Sequence, residues 1–135
     1  MIDFQNEIFT AVAQAVRSAH TGITITGEYT RSPSKFPFVA LDEVENVSVD
    51  ALIDSSDQEK YAGLSYRLQV FSNKIGGKKA EARALFATAD AALLSLGFRR
   101  VTYTTIPEIY DSTIYSIFAT YESIISAEGV VYGRR

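Results

Sequence analysis

Two segments of the chain repeat their hydrophobic residues at intervals of three and four, the spacing of an amphipathic helix. They cover residues 2–19 and 78–96. The apolar positions are Phe4, Ile8, Val12, Val16 and Ala19 in the first segment, and Ala84, Leu85, Ala89, Ala92, Leu93 and Leu96 in the second. Gly97 directly follows the second segment, and glycine commonly ends a helix because it tolerates the left-handed conformation. The pattern therefore predicts two helices.

Elsewhere the hydrophobic residues alternate with polar ones, as they do in strands that have one buried face. The alternating segments are residues 22–30, 38–44, 62–73, 98–105 and 112–126. The clearest of them places Leu64, Tyr66, Leu68 and Val70 on one face. Only a polar loop containing proline separates the first two segments, so residues 22–46 are expected to form a β-hairpin with a wide connection.

The element order α-β-β-β-α-β-β indicates an α+β fold. We expect a mostly antiparallel sheet packed against two helices. Residues 1–126 are expected to form a single domain. Residues 127–135 are expected to form a flexible C-terminal tail, because their glycines and terminal arginines offer little to pack.

The composition of the 135 residues limits the chemistry of the domain. The chain has no cysteine and one histidine, His20, which excludes disulfides, thiolate metal sites, cysteine nucleophiles and paired-histidine sites. The formal net charge of −3 argues against a strongly basic nucleic-acid binder. No apolar run is long enough for a signal peptide or a membrane span, so we expect assembly in the cytoplasm without a membrane partner. No catalytic residue, cofactor or metal site is predicted.

Acidic and basic residues are concentrated in different parts of the chain. Residues 42–59 contain no lysine or arginine, whereas residues 60–100 are rich in both. Such segments can present complementary surfaces to other copies of the chain, or they can pair within one chain. The charged residues predicted to form subunit or partner contacts are Asp42, Glu43, Glu45, Asp54, Asp57, Lys74, Lys78, Lys79 and Arg83. Calcium binding by the acidic segment is disfavoured, because its spacing does not match an EF-hand loop.

The sequence Gly76-Gly77-Lys78-Lys79 precedes the second helix, where backbone N–H groups can bind phosphate. It lacks the spacing of a P-loop, and no serine or threonine follows the lysines. A turn between a strand and a helix accounts for the two glycines more simply. Similarly, His20 is interpreted as a residue that complements the negative end of the first helix.

The alternating segment 112–126 is unusually long for a strand, about 50 Å if fully extended. Large apolar side chains lie on both of its faces. Such a strand can be central and covered on both sides, divided by a bend, or packed on a partner subunit. Tyr115 and Tyr121 are predicted interface residues in the last case, because tyrosine combines apolar area with a polar tip.

Several segments, in this order, resemble the tail terminator and minor tail proteins of long-tailed bacteriophages. They are the N-terminal helix, FPFVAL at 36–41, YRLQVFSN at 66–73, the alanine-rich helix that ends in LGF at 96–98, and YDSTIYSIF at 110–118. The resemblance spans roughly residues 1–126 and contains no catalytic signature.

This resemblance implies a structural protein of the virion tail or neck that forms a ring of six subunits. The ring would cap the tail tube, end its polymerisation and provide the surface for head–tail joining. Its partners would be copies of itself, the tail-tube protein and the head–tail connector proteins. DNA would pass through without sequence-specific binding, so the lumen should not be strongly basic. Lys78, Lys79 and Arg83 are accordingly assigned to protein contacts.

Two alternatives remain at the level of sequence. One is another neck component, such as a head–tail connector or completion protein. The other is a small enzyme or ligand-binding domain that uses Asp42, Glu108, Tyr103 or Tyr110. Paired carboxylates can be catalytic when their environments separate their pKa values, but no spacing in the chain predicts such a pair.

Overall fold

The computed structural model describes residues 1–31, 33–49, 61–107 and 113–131. Helix α1 spans Gln5–Ala19 and helix α2 spans Lys78–Ser95. The strands are β1 (Thr24–Thr26), β2 (Phe38–Ser48), β3 (Tyr61–Ser72), β4 (Arg99–Pro107) and β5 (Tyr115–Ser126). The predicted order α-β-β-β-α-β-β and the α+β class are confirmed.

The five strands form one sheet in the order β1-β2-β3-β5-β4. Every neighbouring pair except β1 and β2 is antiparallel. Both helices pack on one face of the sheet, which we call the helix face. The core lies between them, and its fully buried members include Val12, Val16, Leu68, Leu85, Leu93 and Ile117. The opposite face is called the helix-free face below.

The apolar stripes of the two helices face the sheet. Helix α1 buries Ile8, Val12 and Val16 against the sheet, as the spacing predicts. It begins at Gln5, so the predicted start at residue 2 is too early. The C-terminal end of α1 contacts the middle of α2 through His20, whose Nε2 lies 2.9 Å from Thr88 Oγ1.

The predicted hairpin over residues 22–46 is wrong, because β1 and β2 run parallel. Parallel neighbours need a connection that returns the chain to its starting end. Residues 27–31 and 33–37 belong to this connection, and Thr30 lies over the helix-free face of β3, where Gln69 is fully buried. Its Nε2 donates to the Thr30 carbonyl at 2.8 Å, and its Oε1 accepts from the Thr30 N–H at 3.1 Å. Alternation in the sequence identified both strands but carried no information about their relative direction.

The last strand is central in the sheet. Strand β5 pairs with β3 along one side and with β4 along the other, and Ile117, Ala119 and Tyr121 are buried. Of the three possibilities for this segment, the central position is therefore the one observed, although the Glu122 side chain on its helix-free face is exposed. Packing of part of this strand on a partner subunit stays a prediction. The edge strand on this side of the sheet is β4, which continues through Pro107 instead of ending at residue 105.

The start of the expected tail folds back onto the domain. Residues 127–131 form a turn, and Val131 pairs with Ile125 as an isolated bridge. Val131 also packs against the core, close to Gly97. The remaining part of the expected tail, residues 132–135, lies outside the described residues.

Candidate assembly surfaces

Strand β4 is an exposed edge of the sheet, and we call it the β4 edge. Every side chain from Arg99 to Ile106 is exposed, including those of Val101 at 43% and Tyr103 at 45%. Only β5 pairs with it among the described residues. An edge of this kind presents unpaired backbone N–H and C=O groups to another strand. Apolar side chains beside such groups favour a protein partner over solvent.

The other side of the sheet also has an open stretch. Strand β1 pairs only with residues 38–40 of β2, which leaves residues 41–48 without a strand on that side in the described part of the chain. We call this stretch the β2 edge. Val44 and Val47 are about half exposed there. A bulge between Glu43 and Glu45 interrupts the regular register with β3.

The two edges carry opposite charges in the same rows of the sheet. When the residue pairs are followed across the sheet, Arg99 lies in the same row as Glu45, and Arg100 lies in the next row with Glu43. The intervening residues are Glu122 and Ser65 in the first row, and Tyr121 and Tyr66 in the second. Since β2 and β4 run in opposite directions, one edge can meet the other edge of a second copy as an antiparallel pair.

The two arginines of the β4 edge also have acceptors within the chain. Arg99 Nη2 lies 3.2 Å from Glu122 Oε1. Arg100 Nη1 lies 2.9 Å from Asp90 Oδ1, which also accepts from the Tyr121 hydroxyl at 2.6 Å. The carboxylate of Asp90 raises the pKa of the Arg100 guanidinium further, so this group stays charged. These pairs hold the arginines near the sheet surface.

Glu43 has a partly apolar environment. The Tyr66 hydroxyl donates to its Oε1 at 3.2 Å. Burial raises the pKa of the Glu43 carboxyl, and the charge of Asp3 raises it further. Burial and the neighbouring Glu43 likewise raise the pKa of the Tyr66 hydroxyl. This pair therefore keeps its hydrogen bond at neutral pH.

Beside the connection between β1 and β2, the helix-free face carries paired charges and hydroxyl groups together with the apolar side chains of Val47 and Ile124. Arg67 donates to both carboxylate oxygens of Asp42, at 2.6 and 3.2 Å. This contact joins the acidic and basic segments within the chain, so intramolecular pairing occurs at this position. In the neighbouring strands, Thr102 Oγ1 and Thr120 Oγ1 lie 2.7 Å apart. The face thus carries hydroxyl groups and paired charges.

The predicted basic residues surround the turn between β3 and α2, which we call the basic turn (residues 73–79). Lys74, Lys78, Lys79 and Arg83 line an open depression there with a volume of about 680 Å³. Gly76 has a φ of 75°, the left-handed region that favours glycine. The glycines therefore form a turn that leads into α2, which agrees with the simpler interpretation of this motif.

The other predicted site residues lie in different environments. Tyr121 is fully buried and bonded to Asp90, so its side chain offers no surface to a partner. Tyr115 is half-buried at the start of β5. Asp54 and Asp57 lie outside the described residues. The acidic and basic candidates that are described thus fall on separate surfaces, the first along β2 and the second at the basic turn.

The residues considered for an enzyme do not converge. Asp42 pairs with Arg67 in β3, whereas Tyr103 packs on Phe86 at the β4 edge with ring centroids 4.9 Å apart. Glu108 and Tyr110 lie outside the described residues. Within residues 1–31, 33–49, 61–107 and 113–131, no group of three histidine or acidic side chains could hold a metal ion. Neither helix of this part of the chain is long and apolar enough to cross a membrane.

Sequence patterns did not identify several apolar side chains as exposed. Val101, Tyr103 and Ile106 look like ordinary strand residues, because alternation does not reveal which strand is at an edge. Ile75 is 99% exposed in the basic turn. Ile75 lies beside two glycines and a lysine, outside any helical or alternating pattern. This position was the sequence signal that could have indicated an exposed isoleucine.

No protein-family model matches the chain, and no curated protein matches it. The chain is similar in structure to a chain in the solved virion of a native gene transfer agent particle, with a TM-score of 0.58 and 17% sequence identity. The match covers 87% of this chain and 92% of that chain. At this identity, the likeness establishes a shared fold across most of the domain.

Proposed function

We propose that the chain is a structural protein of a phage-like virion, and that it acts as a tail terminator. In this role, six copies form a ring that caps the tail tube, ends its polymerisation and provides the surface for head–tail joining. The protein is assembled in the host cytoplasm and has no enzymatic activity. The observation that carries the proposal is the pair of oppositely charged open edges of one sheet. The fold shared with a chain of a gene transfer agent virion supports it.

The two edges suit a ring because they are different surfaces at opposite sides of the molecule. A contact between unlike surfaces repeats from copy to copy, and it makes a closed ring when the rotation between copies closes. If the copies are related by rotation about an axis parallel to the strands, corresponding rows of their sheets lie at the same height along that axis. This arrangement therefore brings Arg99 and Arg100 of one copy towards Glu45 and Glu43 of the next. Such charge complementarity sets register and orientation.

The helix-free face suits the inside of such a ring. Two of its arginines, Arg67 and Arg99, are each paired with a carboxylate, and Thr102 and Thr120 add neutral hydroxyl groups. Unpaired basic side chains would hold DNA phosphates and make passage sensitive to salt. Paired charges avoid this, so DNA would move through without sequence-specific binding.

Charge reversal tests the ring contact. Arg99→Glu or Glu45→Lys alone should weaken ring formation, because each places like charges at the junction of two copies. The double variant Arg99→Glu/Glu45→Lys should restore assembly, since the pair is re-formed with the charges exchanged. Native mass spectrometry and negative-stain electron microscopy of the purified protein measure the assembled mass and shape.

Circular dichroism is the control that each variant remains folded. The matched control substitution is Arg17→Glu, an exposed charge reversal on α1 away from both edges. Rings that form equally well in all variants would contradict the edge contact. A wild-type protein that stays monomeric at high concentration, even with tail-tube protein added, would contradict the function itself.

A different neck component, such as a connector or completion protein, would share these features of assembly. A terminator and a connector differ in the structure to which they bind. Immunogold labelling of isolated tails and isolated heads distinguishes them, because a terminator is bound at the tube end and a connector at the portal. We expect label at the tube end. Label on tail-free heads alone would favour the connector role.

A further inference from the structure

The basic turn presents an aliphatic side chain to solvent. Ile75 is 99% exposed there, among the exposed cationic residues Lys74, Lys79 and Arg83. Insertion into an apolar pocket of a partner would remove the surface of this side chain from water. The basic turn therefore combines an apolar tip, Ile75, with a positively charged surround.

The tip is held in place by the structure behind it. The Ser72 hydroxyl donates to Glu81 Oε1 at 2.6 Å and accepts from the Lys74 N–H at 3.3 Å. The Gly77 N–H donates to the Lys74 carbonyl at 3.3 Å, which closes the turn around Ile75. A segment that is already ordered in the free protein loses little conformational freedom on binding, so the tip suits a docking contact.

The basic turn lies at one end of the strands, away from the charged rows of the proposed ring contact. It directly follows Ser72, the last residue of β3, which pairs with Tyr115 at the start of β5. Arg99 of the β4 edge pairs with Glu122, towards the other end of β5. In a ring whose axis is parallel to the strands, the basic turns of all copies therefore lie on one end face.

The chemistry of the basic turn favours a protein partner over DNA. Lysine and arginine by themselves would suit phosphate groups. The aliphatic side chain of Ile75 gains nothing from a phosphate, but it gains from an apolar pocket in a protein. Carboxylates around such a pocket would complement Lys74, Lys79 and Arg83 and set the orientation of the partner. The partner that fits is a protein with an apolar pocket and an acidic rim.

A second copy of this chain does not suit a protein that ends tube growth. The chain has an apolar cavity of about 150 Å³ at the other end of α2, lined by Phe4, Leu96 and Phe98 among others. Insertion of Ile75 of one copy into this cavity of the next would join unlike ends, and such a contact repeats from ring to ring without limit. The tip of a terminator must therefore meet a different protein.

We propose that the basic turn docks on the tail-tube protein, with Ile75 in an apolar pocket that is rimmed by carboxylates. The contact rests on the proposed function, because it specifies how the ring holds the tube. A tube that grows by joining unlike ends of identical subunits leaves an unoccupied acceptor surface at its growing end. A ring that fills this acceptor ends growth. The tips of one ring act together, so contacts that are weak singly form a stable cap.

Capping of tubes tests the role of the tip. Full-length protein is added over a concentration series to tubes assembled from the tail-tube protein, and electron microscopy measures the fraction of capped ends. Ile75→Asp should weaken capping at least about tenfold, because a carboxylate enters an apolar site with an acidic rim. Ile75→Leu should retain capping. Equal capping by Ile75→Asp and the wild type would overturn the proposal.

The matched control is Val130→Asp, which makes the same kind of change at an exposed aliphatic residue near the other end of α2. Val130 is 49% exposed and follows Gly129, which lines the apolar cavity there. It should leave tube capping unchanged. Because Ile75 is almost fully exposed, neither substitution of the tip should unfold the chain, which circular dichroism checks. Equal loss of capping in Val130→Asp and Ile75→Asp would also overturn the proposal.

Cross-linking identifies the protein that receives the tip. The chain has no cysteine, so the full-length Ile75→Cys variant can be labelled at a single site with a benzophenone maleimide. Illumination of assembled particles, followed by mass spectrometry, should join the label to a peptide of the tail-tube protein that contains apolar residues and carboxylates. Cross-links only to DNA, to a connector protein or to a second copy of this chain would overturn the proposal.

The docking contact and the proposed function fail separately. If wild-type rings cap tubes and Ile75→Asp rings cap them equally well, only the docking contact is wrong. If the wild-type protein neither forms rings nor caps tubes, the proposed function is wrong and the docking contact with it.

Discussion

At the residue scale, the most informative group is the Glu43 carboxyl. It accepts from the Tyr66 hydroxyl in a partly buried position, and both burial and Asp3 favour its neutral form. The same residue lies on the β2 edge, where a positive neighbour would stabilise its charge. Assembly and protonation of Glu43 are therefore opposed, and rings should be favoured when this carboxyl is ionised.

The raised pKa of Glu43 has a consequence for stability. Its ordinary value is 4.5, and the folded state holds the proton to higher pH than the unfolded state does. The contribution of Glu43 to the free energy of unfolding is therefore greatest below that value. It is lost as the pH rises through the folded-state pKa.

Glu43→Gln should remove this dependence, because glutamine does not titrate and its side-chain oxygen still accepts from Tyr66. We expect the variant to gain stability relative to the wild type as the pH rises from about 4 to about 7, measured by urea unfolding. Glu28→Gln, which changes an exposed carboxyl, is the control. Parallel pH profiles for wild type and Glu43→Gln would contradict the assignment.

At the element scale, the arrangement of β4 and β5 decides which surface is available. Strand β5 has the larger apolar side chains and lies in the middle of the sheet. Strand β4 carries arginine and threonine at many positions, and these residues tolerate solvent in a free monomer. Its apolar members, Val101 and Tyr103, remain exposed until a partner strand covers them. The β4 edge thus tolerates solvent in a free monomer, and its backbone groups can still pair with another strand.

The segment that follows β5 is tied to the end of α2 by a close approach. Gly97 has a φ of 96°, and a Cβ atom there would lie 2.6 Å from Val131 Cγ1. Gly97→Ala should therefore lower the free energy of unfolding by about 2–4 kcal/mol, from backbone strain and overpacking together. Urea unfolding measures the loss.

Two variants separate these causes. Gly22 has a φ of 74° with open space around it, so Gly22→Ala should cost only about 1–2 kcal/mol of backbone strain. The double variant Gly97→Ala/Val131→Ala should regain part of the steric cost. If Gly97→Ala and Gly22→Ala are equally destabilised, Val131 does not pack against Gly97.

At the scale of the whole molecule, sides and ends have different chemistry. The sides of the sheet are open strands with charges in matching rows, whereas the exposed Ile75 and an apolar cavity lie towards the two ends of α2. The proposed side-by-side contacts therefore depend strongly on the charges at the two edges.

Salt should weaken the proposed side-by-side contact between copies. Raising the salt concentration from about 0.05 M to about 0.5 M should reduce the population of rings severalfold, because exposed charges are screened. The double variant Arg99→Glu/Glu45→Lys should show the same dependence, since it has the same number of charge pairs between copies. Light scattering over a salt series measures the effect. Rings that resist salt would indicate that backbone pairing alone holds the edges together.

Much of the fold could be predicted because it depends on local patterns. The positions of Val12 and Val16 in α1, and of Leu68 and Val70 in β3, follow from spacing along one element. The candidate interface residues stay predictions, except that Tyr121 lies in the core and offers no surface to a partner.

The sequence by itself determined which segments are helices or strands, their order, and which face of each is buried. These properties arise from the periodic placement of side chains on a single element. Only the tertiary structure decided that β1 runs parallel to β2, that β5 is central and that β4 forms the edge. Those choices depend on hydrogen bonds and burial between residues far apart in the chain, such as Gln69 and Thr30. No local pattern encodes which of several similar strands becomes the neighbour of another.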